Sequence, residues 1–538
     1  MKAGVKKEKS PIIIPLLCGL AGILYFILIF GWQNVNPNHT AWVLNGGGDN
    51  FQHYIGWRFF RDSPWIKHVL FFQNLNYPSG TSVIVTDSNP LMCLIFKCFR
   101  KYLSVQFQFN GIWLVLCYGL AGFLSARIGI ELTRSKIWAC VCSAFVLLNP
   151  VILQRAAIHD NLAGHWIILL AFLLWITRSK SLNAAGWAFC TIMAMLIHVY
   201  FLPMILLFLL FQTIQSISEK EKVQKILLPW VASAGAFLLV YYLAGFRYIL
   251  PQSGSYGELS MNLNAFFNSD GTSDFLPALS EFPLQYEGFN YWGLGLLVLC
   301  AVTLILMDRQ HYRRALLFIF PSLLWILLAA SQNITWGNRI LFSFLIPEKV
   351  LSWLSVFRSS GRLGWPFYYL VLFGCASALS KSQKKRFTAF LIGFCLLLQI
   401  IDFSNFRTGY YRRFHSVSDV SENLTAELTF PSGTKHIAVS DGKSSDKNQL
   451  ALFAADHHLT FNQSANARAI QPIFGGPDLT IEETFDQKAF KKDTVYFILD
   501  SRMQTEVMEK YSEYVKIQNN WIYLYGNDLV KITNGSEK

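Results

Sequence analysis

The sequence predicts an α-helical polytopic membrane protein that ends in a soluble α/β domain. Two observations carry this prediction. First, 53% of the 538 residues are hydrophobic and only 15% are charged, with a mean hydropathy of +0.34, which is too apolar for a soluble chain of this length. Second, long apolar runs alternate with short basic clusters, as the positive-inside rule describes. Because membrane topology explains the net charge of +13, we expect no nucleic-acid partner.

Eleven apolar segments are predicted to cross the membrane. The first, residues 11–32, follows a lysine-rich N-terminus and has no small-residue cleavage site, so we expect an uncleaved span with a cytoplasmic N-terminus. The others are 107–126, 137–153, 162–176, the two halves of 183–215 around Pro203, 226–245, 291–307, 315–330, 363–380 and 388–401. This count places every basic cluster on the cytoplasmic side of the cell inner membrane.

Two domains follow from this topology. Residues 1–403 are predicted as the transmembrane domain, with a long first external loop at 33–104, and residues 404–538 as an extracytoplasmic soluble domain. Strand-like runs at 436–439, 459–462, 494–499 and 514–525 alternate with helix-like runs at 449–456 and 503–511, which predicts a small α/β layer. The ten cysteines lie in or beside apolar segments, so neither a disulfide framework nor a cysteine metal site is expected.

The first external loop contains the most informative stretch, NGGGDNFQHYIGWRFFRDSPW at 45–65. Three consecutive glycines, Gly46 to Gly48, permit a tight turn. Asp49 then precedes an amphipathic run, 51–60, which we expect to lie in the membrane interface with Arg58 and Arg61 near the headgroups. We interpret Asp49 as the catalytic centre.

An external enzyme has no free nucleotide sugars, so an activated donor has to be borne by the membrane, as a polyprenyl-phosphate sugar is. Transfer from this donor needs a carboxylate to deprotonate the acceptor hydroxyl and cations to hold the leaving phosphate. Asp49 suits the base. The candidate substrate- and phosphate-binding residues are polar side chains of the external loops: Arg58, Arg61, Arg358, Arg362, Gln52, His53, His159, Asp160, His165 and Glu287.

The overall arrangement resembles the GT-C class of lipid-carrier-dependent glycosyltransferases, which includes oligosaccharyltransferases and protein O-mannosyltransferases. The stretches GGDNFQHYIGWRFFRDSPW, YPSGTSVIVTDSNPL, FPLQYEGFNYWGLG and FRSSGRLGWPFYYL resemble an uncharacterised family of bacterial multi-pass proteins near that class. The resemblance implies a base at Asp49 and a second polar cluster at His159 and Asp160. Phe51 stands where many class members have a second carboxylate, so metal binding stays open; any divalent ion would be held by Asp49, His159 and Asp160, with His53 as a further ligand.

The prediction is an inverting membrane glycosyltransferase that transfers a sugar from a polyprenyl-phosphate donor to a cell-envelope glycan or protein. No cofactor is certain. The alternative is a transporter or flippase of lipid-linked glycans, in which arginines bind headgroups without bond chemistry. A third interpretation is an assembly factor whose soluble tail recruits partners.

Several of these residues also have structural interpretations. Asp49 is a favoured residue for capping the helix that follows it, and Arg58 and Arg61 suit simple anchoring at headgroups. His165 and His198 lie near span ends, where packed histidines are commoner than ligands.

The later loops leave similar alternatives open. Asp87, in TDSNP, suits turn chemistry before substrate contact. Glu287 suits acceptor binding and structural hydrogen bonding equally. Arg358 and Arg362 are four residues apart and face one way if helical, which suits a phosphate clamp or interface anchoring.

Overall fold

The computed structural model describes residues 12–45, 49–178, 183–250, 256–306, 309–416, 428–476 and 479–535. For residues 309–317 and 534–535 it describes the backbone alone. The N-terminal lysines and the glycines Gly46 to Gly48 lie outside the described residues.

The chain is mainly helical. In chain order the helices are α1 (Ile13–Phe30), α2 (Ala41–Leu44), α3 (Asn50–Asp62), α4 (Pro90–Cys98), α5 (Asn110–Thr133), α6 (Lys136–Leu147), α7 (Pro150–Ile158), α8 (Trp166–Ile176), α9 (Asn183–Ile197), α10 (Phe201–Ser218), α11 (Val223–Ala244), α12 (Leu294–Leu306), α13 (Arg309–Ala330), α14 (Glu348–Leu354), α15 (Pro366–Leu379), α16 (Lys385–Asp402), α17 (Ser404–His415), α18 (Ser444–Asp456), α19 (Ile481–Asp486), α20 (Ser501–Lys510) and α21 (Gly526–Gly535). The strands are β1 (Phe71–Phe72), β2 (Thr81–Ser82), β3 (Asn333–Trp336), β4 (Arg339–Ser343), β5 (His436–Val439), β6 (Thr460–Phe461), β7 (Thr494–Ile498), β8 (Lys516–Gln518) and β9 (Trp521–Tyr525).

The chain forms two compact units. Unit 1 contains Met1–Pro37, Phe109–Val240 and Pro251–Val417, and unit 2 contains Asn38–Gln108, Tyr241–Leu250 and Ser418–Lys538. The first predicted loop and the C-terminal region therefore fold together in unit 2.

Each of the eleven apolar segments contains a helix, but fewer of these helices qualify as spans. Among the described residues, α1, α5, α10 and α11 are long and apolar enough to cross a membrane. The number rises to six if two bent pairs, α6 with α7 at 42° and α16 with α17 at 49°, each count as one span. The predicted number of eleven is therefore corrected to four to six by length and composition.

The difference arises because apolar composition does not show where a helix breaks. The predicted span 137–153 is interrupted at Asn149, which accepts a hydrogen bond from the Val151 backbone (2.9 Å) and begins a new helix with Pro150 as its first residue. The helices α8, α9 and α12, and the apolar part of α13 (Phe318–Ala330), are 10–17 residues long, below the usual length for a single crossing.

The core of unit 1 includes a close approach of α1 and α5. A Cβ atom on Gly22 would lie 2.2 Å from the Tyr118 carbonyl oxygen, and one on Gly122 would lie 2.3 Å from the Cys18 carbonyl oxygen. Small residues at matching positions therefore let the two backbones touch, as they do where apolar helices pack in membranes.

Unit 2 is built on a five-stranded sheet in the order β6-β5-β7-β9-β8. The strand β5 is parallel to β6 and β7, whereas β9 is antiparallel to β7 and β8. The predicted α/β region near the C-terminus is thus confirmed. One core of this unit packs around Ile481, Tyr496, Ile498, Met503, Val507, Leu524 and Leu529.

A segment of the first loop extends this sheet. Leu75 forms a parallel bridge with Phe461 of β6. The Phe461 backbone donates to the Asn74 carbonyl oxygen (2.9 Å), and the Tyr77 backbone donates to the Phe461 carbonyl oxygen (3.0 Å). The YPSG motif, which begins at Tyr77, is therefore held against the C-terminal region by backbone pairing.

Candidate functional site

A cluster of buried charges in unit 1 surrounds Glu287. This residue lies in a short 3-10 turn, Gln285–Gly288, before α12. Its Oε2 atom accepts hydrogen bonds from Arg362 Nη2 at 2.8 Å and Nε at 3.1 Å. Arg155 of α7 places Nη2 3.1 Å from the same oxygen. Two guanidinium groups therefore share one carboxylate oxygen.

Two glycines bring Glu287 and Arg362 together. Arg362 lies in a second 3-10 turn, Ser360–Gly364. A Cβ atom on Gly361 would lie 2.5 Å from the Gly288 Cα, so the turns approach at backbone contact. Asn290 Nδ2 donates to the carbonyl oxygens of Gly288 (2.7 Å) and Gly361 (2.9 Å), which joins the turns.

The charges in this cluster are unbalanced. Burial alone would raise the pKa of Glu287, but Arg362 and Arg155 lower it to about 2, so the carboxylate is ionised at neutral pH. Two arginines against one carboxylate leave one excess positive charge. Arg155 is 2% exposed, and its Nε atom has no hydrogen-bond partner among the described residues. A buried donor with excess positive charge suits an anionic ligand.

Aromatic rings flank both guanidinium groups. Arg155 lies 5.5 Å from the centroid of Trp365, and Arg362 lies 5.0 Å from that of Tyr200. His165 stacks on Trp365 at 4.7 Å, and its Nδ1 atom shares a 2.7 Å hydrogen bond with the Tyr369 hydroxyl. His165 therefore has the packed, hydrogen-bonded surroundings of a structural histidine.

Arg358 differs from Arg362. It follows the 3-10 turn Ser355–Phe357 and is half-buried. In the described part of the chain no ion pair or hydrogen bond to its side chain is present. Its neighbour Ser359 is fixed by backbone donation to the Tyr200 hydroxyl (2.7 Å). Arg358 is therefore a cation with spare donors on an anchored backbone.

The predicted polar pair His159 and Asp160 is buried in unit 1. Asp160 Oδ2 accepts from Asn110 Nδ2 at 2.7 Å, and its carbonyl oxygen accepts from Trp113 Nε1 at 2.9 Å. The ring of His159 lies 5.4 Å from that of His198, with ligand nitrogens within 4.8 Å of each other. Thus Asp160 has a structural partner, and the two histidines offer a pair of nitrogen ligands.

In unit 2, Asp49 occupies the N-cap position of α3. Its side chain is exposed and makes no capping hydrogen bond within the described chain. His53 lies one helical turn later, is buried, and has a ring nitrogen within 4.8 Å of an Asp49 carboxylate oxygen. Gln52 is half-buried beside it. The head of α3 therefore presents an available carboxylate next to an imidazole.

The rest of α3 corrects the expectation of an interfacial helix. Its residues are buried from His53 to Arg61, so the aromatic face packs inside the protein. Arg58 pairs with Asp456 of α18 at 2.6 Å and with the Tyr54 hydroxyl at 3.1 Å. Arg61 donates to the Ser104 carbonyl oxygen at 2.7 Å. Both arginines therefore bind protein groups of unit 2.

Unit 2 also contains a cavity of about 580 Å³. It is lined by residues of β5 and β7, by the Asn76 to Ser79 turn and by the start of α19. The Tyr77 ring stacks on His436 at 4.4 Å. The cavity extends past the carboxyl end of β5, where open α/β sheets bind ligands. The lining combines apolar side chains with amides, hydroxyls, the carboxylates of Asp441 and Glu482 and the side chain of Lys491, a mixture that suits a polyhydroxyl ligand.

Comparison with protein families gives one match. The family described as a domain of unknown function, DUF6311, matches residues 19–404. The chain belongs to the DUF6311 family. The match contains Asp49, Arg155, Glu287, Arg358 and Arg362. No curated protein matches the chain.

Sequence reasoning missed Arg155 as a candidate site residue. Glu287 and Arg362 were among the predicted site residues, but Arg155 was not. The available signal was a charged residue directly after an apolar run, because a charge at that depth needs a partner. The partner, Glu287, is 132 residues away.

Proposed function

We propose that this DUF6311 protein is an inverting membrane glycosyltransferase of the GT-C type. It would transfer a sugar from a polyprenyl-phosphate donor to an extracytoplasmic glycan or protein. The observation that carries the proposal is the state of Asp49: its carboxylate is exposed and makes no capping bond at the head of an otherwise buried helix. A carboxylate kept available in this way suits a general base.

The proposed reaction balances with the groups present. Asp49 takes the proton of the acceptor hydroxyl, the acceptor oxygen bonds to the sugar C1 atom, and the bond from C1 to the phosphate oxygen breaks. The leaving polyprenyl phosphate needs no proton donor because phosphate is a weak base. His53 lies within reach of Asp49 and suits orientation of the carboxylate.

Among the described residues, arginines of unit 1 suit phosphate binding better than the two arginines of α3. Arg58 and Arg61 already bind protein groups, whereas Arg358 has spare donors and Arg155 has an unused Nε donor. Arg362, fixed by Glu287, supplies the excess positive charge. Arginine forks are suited to phosphate oxygens.

The acceptor is assigned to the cavity of unit 2. Tyr77 offers an aromatic surface, and Asp441 and Glu482 offer hydrogen-bond acceptors for sugar hydroxyls. The proposed location is the inner membrane, with a cytoplasmic N-terminus and an external C-terminal region.

The test uses the purified full chain, a labelled polyprenyl-phosphate sugar and extracted envelope glycans as acceptors. We expect labelled glycan from the wild type and a loss of at least about 100-fold in kcat for Asp49→Asn. Transfer by a folded Asp49→Asn variant at the wild-type rate contradicts the base assignment. Movement of the lipid between leaflets without transfer supports the flippase alternative and overturns the enzyme. Repetition with EDTA tests a requirement for a divalent ion.

A further inference from the structure

A β-hairpin and a short helix in unit 1 expose an unusual amount of apolar surface. All five residues of β4 (Arg339–Ser343) are exposed, including Ile340, Leu341 and Phe342 at 54–62%. The surface continues through Leu345, which is fully exposed, to Trp353 of α14, which is 78% exposed. We call residues 339–354 the apolar flap.

The flap is well anchored at one end. Its partner strand β3 buries Ile334 and Thr335, and the Leu263 backbone donates to the Thr335 carbonyl oxygen (3.0 Å). Asn262 binds both backbone groups of Gly337 at the turn, at 2.9 and 3.0 Å. The hairpin therefore has a defined structure, although its outer strand packs against little of the described protein.

Its composition matches the membrane interface. Trp336 and Trp353 flank the apolar residues, and amphipathic tryptophan rings favour the headgroup level. Between residues 333 and 358 there are three cations, Arg339, Lys349 and Arg358, and one carboxylate, Glu348. The net positive charge complements anionic lipid headgroups.

The unpaired backbone edge of β4 indicates how deep in the membrane the apolar flap lies. The strand β4 belongs to a two-stranded sheet, so one of its edges has no strand partner among the described residues. Unpaired backbone groups are costly in hydrocarbon but are satisfied at the interface. The flap therefore suits the boundary between headgroups and acyl chains better than the bilayer centre.

We infer that the apolar flap inserts into the lipid leaflet and carries Arg358 to the level of the headgroup phosphates. Arg358 lies where the chain returns from exposed Trp353 to buried Ser359 and Ser360. A half-buried guanidinium with spare donors at that junction suits a lipid phosphate. Insertion of the flap is independent of the proposed transfer reaction. Only the identity of the phosphate as that of a sugar carrier rests on the proposed function.

The test places a photocrosslinking residue in the full-length protein in nanodiscs of phosphatidylethanolamine and phosphatidylglycerol. We expect Leu345→benzoylphenylalanine to give lipid adducts by mass spectrometry. The matched control, Ile517→benzoylphenylalanine, replaces a residue of unit 2 that is 63% exposed and should give few. A crosslink from Leu345 to a second copy of the chain, or no adduct above the control, overturns the inference.

A second measurement tests Arg358. Phosphatidylglycerol should raise the melting temperature of the wild type, and Arg358→Gln should require roughly tenfold more lipid for the same shift, since one charge-assisted contact is lost. An unchanged lipid titration overturns the role of Arg358. Lipid adducts in a protein that transfers no sugar support the flap and contradict only the proposed function.

Discussion

Arg155 and Arg362, which are far apart in the sequence, bind the same atom, Glu287 Oε2, at 3.1 and 2.8 Å. This shared oxygen joins α7 to the turns before α12 and α15 within unit 1. The single negative charge of Glu287 therefore neutralises only one of the two buried guanidinium charges. The cluster is therefore both a structural joint and a source of positive charge.

Removal of the shared carboxylate should destabilise the protein. We expect Glu287→Gln to lower the free energy of unfolding by about 3–5 kcal/mol, because two buried guanidinium groups lose their counter-charge. Thermal melting in detergent measures this. Glu258→Gln, at an exposed position in the same unit, should change stability by less than about 0.5 kcal/mol. Addition of Arg155→Met to Glu287→Gln should restore part of the loss, and a strictly additive double variant contradicts the coupling.

Because the pKa of Glu287 is lowered in the folded protein, the stability of the protein should depend on pH. The pKa of this carboxylate falls from 4.5 to about 2 in the folded protein, so its stabilisation is complete above pH 4.5 and is lost as the pH falls through 2. The difference, 4.5 minus 2, corresponds to about 3 kcal/mol. Melting curves of the wild type and Glu287→Gln should therefore converge between pH 4.5 and 2. Parallel curves over this interval count against the charge assignment.

Asp49 should matter for activity and not for stability. A capping aspartate typically contributes about 0.5–2 kcal/mol, but Asp49 makes no capping bond in the described chain. We expect Asp49→Ala to leave the melting temperature within experimental error. Asp500, whose side chain caps α20 by accepting from the backbones of Arg502 and Met503, provides the comparison, and Asp500→Ala should lower stability. A similar loss in both variants would mean that Asp49 is a cap.

The pair of Arg58 and Asp456 should hold α3 to α18 in unit 2. Asp456→Ala leaves a buried guanidinium without its partner and should cost about 2 kcal/mol, less than a fully buried pair because Asp456 is partly exposed. Limited proteolysis should cut the loop 63–104 faster in this variant. Glu506→Ala, which breaks an exposed pair with Lys510, should leave the cutting rate unchanged.

The cavity of unit 2 should control acceptor affinity. If it binds the acceptor, Tyr77→Ala and Glu482→Gln should each raise the KM for acceptor roughly tenfold and leave kcat unchanged, since uniform binding is lost. Initial rates at varied acceptor concentration separate these constants. A change in kcat alone would place both residues outside acceptor binding.

Much of the local structure followed from the sequence, since apolar runs and strand-like alternation depend on neighbouring residues. The strand His436–Val439 has its predicted bounds, and every predicted span contains a helix. The number of spans did not follow, because capping at Asn149 and the start of a helix at Pro150 break an apolar run without changing its composition.

The candidate site was only partly predictable for a different reason. Glu287 and Arg362 stood out as charges near apolar segments, but their contact depends on the packing of Gly288 against Gly361, which no sequence pattern shows. The inward direction of Arg58 similarly depends on Asp456. An amphipathic helix shows which face is apolar, but it does not show whether that face meets lipid or protein.

The pairing of the first loop with β6 has a consequence for biosynthesis. Arg58 and Asp456 are 398 residues apart. Leu75 likewise pairs with Phe461, which is synthesised much later. Because chains emerge from the N-terminus at about 5–20 residues per second, residues 38–108 are synthesised tens of seconds before their partners. During this interval the loop lacks its backbone partners, and the aromatic side chains of α3 that are buried in the folded protein lack their neighbours from the C-terminal region. A chain truncated before residue 418 would lack both Phe461, which pairs with Leu75, and Asp456, which pairs with Arg58.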